Sequence, residues 1–208
     1  QLAKDFTPAD VTIVFNDIDL KGATIPAVAT YAGILEGRNH KIYNFKVASD
    51  SECAGLFLSN NGVIKDLVFG SADGTKYDGV SQIAAADGKG GGSIGLVAVN
   101  TGTIENVTNF ATIKFVAASV SGKVGIGGIV GTAGVGEKGA SVLKNCTNKA
   151  SILASGTLAQ ETSIGGVVGY VAAAGTSMES CTNDANLSIG IPVKKVLMIG
   201  GVLGKTDE

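Results

Sequence analysis

The chain has 208 residues, of which 45% are hydrophobic and only 16% charged, and its net charge is −2. That balance supplies a core and excludes a disordered chain, while sixteen scattered basic residues leave no electrostatic footprint for nucleic acid or an anionic membrane. No apolar run reaches the length of a membrane-spanning helix, and 31 glycines without a three-residue period rule out a collagen-like chain.

Val, Ile, Thr, Ser, Asn and Gly dominate the sequence, a mixture that predicts many short strands joined by tight turns. Residues 1–53 are read as N-terminal strands and a cap, since a repeat array must cover its apolar end. Within them, "FNDIDLKG" places Asp17 and Asp19 two residues apart on one strand face, the arrangement of a carboxylate pair for glycoside cleavage. The only histidine, His40, lies in "GRNHKIY", a predicted turn entering a strand.

From residue 54 to 208 the chain repeats. The segments "AGLFLSNNGVIKDLVF", "IGLVAVNTGTIENVTN", "GGIVGTAGVGEKGASVLKNCTN" and "GGVVGYVAAAGTSMESCTN" align, and "GGVLGKTDE" opens a fifth copy. The aligned glycines are Gly55, Gly95, Gly128, Gly166 and Gly201, at spacings of 40, 33, 38 and 35. Insertions account for the variation around a unit of roughly 32 residues, within the range of solenoid repeats. Columns follow: Ile64, Ile104, Leu143, Met178; Leu67, Val107, Cys146, Cys181; Asn109, Asn148, Asn183; Ile113, Ile152, Leu187. Three strands per copy are predicted, one Gly-rich, one at "TIEN" and one at "ATIKF". The three-residue step from Ile104 to Val107 predicts a corner at Glu105–Asn106, because Asn tolerates left-handed backbone. Stacked asparagines are expected to bond along the axis.

The largest insertion is the loop over residues 70–93, "GSADGTKYDGVSQIAAADGKGGGS". Long loops on a rigid repeat are where binding concentrates. Asp73, Lys76, Tyr77 and Asp78 are the candidate ligand-binding residues, a ring beside hydrogen-bonding groups, with Asp87 and Lys89 further along. "TAGVGEK", residues 132–138, approaches the spacing of a phosphate-binding loop. Glu137 separates Gly136 from Lys138, Gly139 follows, and the next residues belong to a strand. A phosphate loop needs Lys directly after its last Gly at the start of a helix, so a turn insertion is expected. Cys146 and Cys181 are read as small buried hydrophobes, although adjacent strands also permit a disulfide. Neither a cofactor nor a metal is expected.

"GGIVG…LKNCTNKASI", "GGVVGY…MESCTNDANLSI" and the leading "GILEGRNHKI" together resemble the GLUG-type repeat over about residues 10–204. The chain departs from that pattern where Val63, Val142 and Ser177 stand in place of Thr, and where the first two copies lack a double glycine. The resemblance implies an all-β fold, a right-handed parallel β-helix of about five rungs. It also implies a non-catalytic binding or adhesion module, secreted or anchored at the outer membrane of a Gram-negative bacterium, with a glycan or host-surface protein as partner. The initial Gln fits a processed chain whose export signal or lipoprotein anchor is gone. The alternative is a carbohydrate-active β-helix enzyme, a polysaccharide hydrolase or lyase, which an acidic cluster along one face would favour.

Overall fold

The computed structural model describes residues 10–49, 53–85, 92–117, 122–135, 139–156, 160–190 and 196–207. Among them there is no helix, and every strand pairing is parallel. Three sheets form, of thirteen, six and four strands.

A single copy illustrates how the sequence feeds them. Val124–Gly127 joins the four-stranded sheet, and Val130–Ala133 joins the six-stranded sheet. Val142–Lys144 and Thr147–Asn148 join the large sheet on either side of a corner, and Ile152–Gly156 returns to it. Thr162–Gly165 then opens the next copy directly beside Val124–Gly127. Each strand therefore finds its partner one repeat away rather than within its own copy.

The expected columns coincide with this register. Ile64, Ile104, Leu143 and Met178 pair in sequence, and Leu35 extends the column N-terminally. Ile83, Ile113, Ile152 and Leu187 do the same, continued back by Val47. Most of these side chains are fully buried, and each large aliphatic contributes about 1.5–3 kcal/mol by leaving water. The corner is at Asn106, whose φ is 53°, and Asp66, Asn145 and Ser180 repeat it at 55°, 51° and 52°. Asn145 Nδ2 donates to Asn106 Oδ1 at 3.0 Å, and Asn106 Nδ2 donates to Asp66 Oδ1 at 2.8 Å. The left-handed corner thus carries its own amide ladder on the outside.

One feature departs from the sequence reading. The Gly-rich segment is not one strand but two, on different sheets, with Gly128–Ile129 as the crossover between them. The N-terminal strands Val11–Ile13, Ile18–Ile25, Val28–Tyr31 and Ile34–Ser49 carry the same register. Val11 pairs with Ile34, and Ile34 with Val63. Here the corners are longer: residues 37–39 stand opposite Asp66 alone, and residues 20–22 opposite Asn44 alone. An apolar cavity of about 140 Å³ opens among these first strands, lined by residues including Val14, Leu20, Val28, Tyr31 and Phe57.

Glycine position follows from close approach. A Cβ on Gly131 would meet the Ala98 carbonyl oxygen at 2.8 Å and crowd the Ile94 backbone, so the six- and four-stranded sheets touch through bare backbone. A Cβ on Gly128 would overlap the Asn148 side chain, and one on Gly166 would overlap Asn183. The asparagines in turn close their own turns. Asn148 Oδ1 accepts from Ala150 N at 3.1 Å while Nδ2 donates to Ala150 O at 3.1 Å, and Asn109 does the same with Ala111 at 3.0 and 3.2 Å. Along the column, Asn148 Nδ2 also reaches Asn183 Oδ1 at 2.9 Å, whereas Asn109 Nδ2 reaches the Gly128 carbonyl at 2.7 Å.

A candidate ligand-binding patch

The long N-terminal corners bring together residues that are far apart in sequence. Asp17 Oδ1 lies 3.0 Å from His40 Nδ1 and accepts from Lys41 N at 3.0 Å, and Asp17 Oδ2 pairs with Lys41 Nζ at 2.9 Å. The side-chain bond from Lys41 is the main reason the Asp17 carboxyl is held down at about 2, against the opposing pull of desolvation. An ionised carboxylate only accepts, so His40 Nδ1 carries the proton and its tautomer is fixed. Asp19 accepts from Asn44 Nδ2 at 2.8 Å and from Lys21 N at 2.8 Å, and these bonds lower its pKa.

The loop after Phe69 docks onto the same corner. Asn44, at φ 56°, directs its N–H to Asp78 Oδ2 at 2.8 Å. Asp78 Oδ1 accepts from Val80 N at 2.8 Å and Ser81 N at 2.7 Å, and Ser81 Oγ donates to Oδ2 at 2.5 Å. Burial pushes the Asp78 carboxyl up, but these donors outweigh it and the net shift is downward. Asp73 closes the other half of the loop, taking Thr75 N and Thr75 Oγ1 at 2.8 Å and Lys76 N at 3.1 Å. The Thr75 N–H leads the bonds that hold its carboxyl well below the usual range.

The four loop residues singled out from sequence therefore divide. Asp73 and Asp78 are engaged in shaping the loop, while Lys76 and Tyr77 project. The Lys76 side chain is 81% exposed, at 3.9 Å from Asp73 Oδ2; Tyr77 is 40% exposed. Asp87 and Lys89 lie outside the described residues, as do Gly136, Glu137 and Lys138 of the "TAGVGEK" insertion. The strand Val142–Lys144 follows that insertion, where a phosphate-binding loop would need a helix. Sequence reasoning missed Lys41 and Asn44. Neither forms a motif, and both act on partners more than twenty residues away.

Chemically, the patch offers fixed acceptors, an imidazole with a set tautomer, an ammonium group and a phenol ring. Asp17, Asp19, Asp73 and Asp78 are all held ionised, whereas glycoside cleavage by a carboxyl pair needs one acid kept protonated by its surroundings. Among the described residues, no group of three or more His, Cys, Asp or Glu is placed to hold a metal ion, and no helix is long and apolar enough to cross a membrane.

The Asp17 contacts make a pH prediction. Its folded pKa lies below the usual 3.8, so the stabilisation is present above that value and is lost as pH falls through about 2. The Lys41 amide resonance, bonded to Asp17, is expected to titrate by NMR with a midpoint near 2, and Asp17→Asn should abolish that titration. A midpoint at the ordinary 3.8 would mean that the contact does not form in solution. No family model, curated protein or solved structure matches the chain.

Proposed function

We propose that the chain is a section of a right-handed parallel β-helix of the GLUG-repeat kind. In this reading it is a non-catalytic binding or adhesion module of a secreted or surface-anchored bacterial protein, presenting loop residues to a glycan or a host-surface protein. In-register parallel pairing of every copy with the next supports the helical path, and the right hand is the one that nearly all parallel crossovers take. The observation that carries the binding reading is the patch itself. Asp73 and Asp78 shape a loop against Asn44, and that loop leaves Tyr77 and Lys76 projecting. A flat ring beside charged groups suits a sugar face with its hydroxyls. The loop that carries them is fixed at its base, and pre-ordered groups lose little entropy on binding.

The test is a glycan and matrix-protein array with the purified chain, followed by turnover assays on every polysaccharide retained. Retention of a subset is expected, weakened about tenfold by Tyr77→Ala, roughly 1.4 kcal/mol, and less by Lys76→Ala. Release of new reducing ends or unsaturated products would replace this reading by a carbohydrate-active enzyme.

A further inference from the structure

Cys146 and Cys181 occupy one position in consecutive copies. The residues around them pair in register, Lys144 with Glu179 and Thr147 with Thr182, and Thr182 N donates to the Cys146 carbonyl at 2.9 Å. Each cysteine follows a left-handed corner, Asn145 at φ 51° and Ser180 at φ 52°. Each Sγ rests 3.4 Å from the carbonyl two residues back, Lys144 O and Glu179 O. The two side chains thus leave the backbone in the same direction, one strand spacing apart. That spacing is about 4.8 Å, inside the roughly 4.4–6.8 Å between Cα atoms that a cystine spans. Cys146 is fully buried, its sulfur also 3.5 Å from the Ile104 carbonyl, and Cys181 is half-buried. Both are thiols.

We propose that Cys146 and Cys181 are a redox-active dithiol that closes to a disulfide across two copies on meeting a small disulfide or a thiol–disulfide oxidoreductase. The more accessible Cys181 loses its proton and attacks one sulfur of the incoming disulfide, expelling one thiolate and forming a mixed disulfide. Cys146 then gives up its proton and attacks Cys181 Sγ, expelling the second thiolate. Two protein thiols are oxidised, one external disulfide is reduced to two thiols, and no other reactant is required. The electrostatics fit that order. The Cys146 thiol lowers the Cys181 pKa, whereas Cys181 and burial push Cys146 up. The thiolate, which is the nucleophile, therefore forms on the sulfur that solvent reaches.

The position has a structural consequence. Met178, Leu187 and Ile189 of the copy that carries Cys181 are only partly buried, whereas their partners Leu143, Ile152 and Ala154 in the preceding copy are buried. A bond between positions 146 and 181 would tie the two copies together across 35 residues.

The experiment is to treat the purified chain with oxidised glutathione at mildly alkaline pH, count remaining thiols, map cystines by mass spectrometry of a tryptic digest, and record the melting temperature. Expected are the loss of two thiols, a linked pair of peptides carrying Cys146 and Cys181, and a rise in Tm of roughly 5 °C or more. Cys181→Ser should lose all three effects, and Cys53→Ser should keep them. Retention of all thiols, a stable glutathione adduct on Cys181 that never resolves, or a cystine involving Cys53 would each overturn the proposal.

Discussion

Replacing Gly128 by alanine is expected to cost about 3 kcal/mol of stability, and replacing Gly201 less than about 0.5 kcal/mol. The two glycines hold the same place in the repeat, so sequence alone treats them alike. The difference lies in what each faces. A methyl group at Gly128 would enter the space of the Asn148 amide, which is fully buried and bonded to Ala150 N, Ala150 O and Asn183. Neither group yields easily, because moving the amide breaks buried hydrogen bonds that water cannot replace. At Gly201 nothing lies within 4 Å of the added carbon. Gly166, with Asn183 against it, is expected to follow Gly128. Thermal melts of the three variants check this. The Gly128→Ala midpoint should fall by roughly 6–12 °C for a chain of this size, and equal melting of Gly128→Ala and Gly201→Ala would contradict it.

Asn100→Ala is the second large effect, at about 2–4 kcal/mol. Asn100 is fully buried and links three copies. Its Oδ1 accepts from Asn60 Nδ2 at 2.7 Å, and its Nδ2 donates to Gly102 O at 3.0 Å and Ser141 Oγ at 2.5 Å. Truncation leaves the Asn60 amide and the Ser141 hydroxyl, both on fully buried residues, short of a partner, which costs more than the bonds themselves contribute. Lys114→Ala, on the exposed face of the same copy, should change stability by less than about 0.5 kcal/mol. Urea unfolding of the pair separates the two outcomes, and similar midpoints would mean that the buried amides carry no stability.

Much of the scaffold was legible in the sequence, because a stacked repeat writes the same interior residue at each level. Ile104, Leu143 and Met178 announced one column, and the step from Ile104 to Val107 announced the corner at Asn106. The split of the Gly-rich segment into two strands was not legible. "VGIGGIVGTA" has too few side chains to show alternation, and its glycines answer to neighbouring backbone and to Asn148, both invisible along the chain. The N-terminal copies escaped alignment because residues 20–22 and 37–39 lengthen their corners and shift the pattern. Asp17, Asp19 and His40 stand out in the sequence, as do Asp73 and Asp78, but nothing local joins the two groups. Their meeting depends on the Asn44 backbone N–H, which carries no sequence signature. Asp73 and Asp78 also fix their own loop, accepting from Thr75 N and Val80 N, a role that no local pattern marks.

The binding reading is tested most directly by titrating an isotopically labelled chain with an oligosaccharide retained on the array and following amide shifts by NMR alongside the integrity of the sugar. Shifts are expected to concentrate at His40, Lys41 and the loop residues 73–81, to need about tenfold more oligosaccharide in Tyr77→Ala, and to leave the oligosaccharide intact after prolonged incubation. Shifts confined to a different face, or cleavage of the sugar at a rate that depends on Asp17 or Asp78, would contradict it.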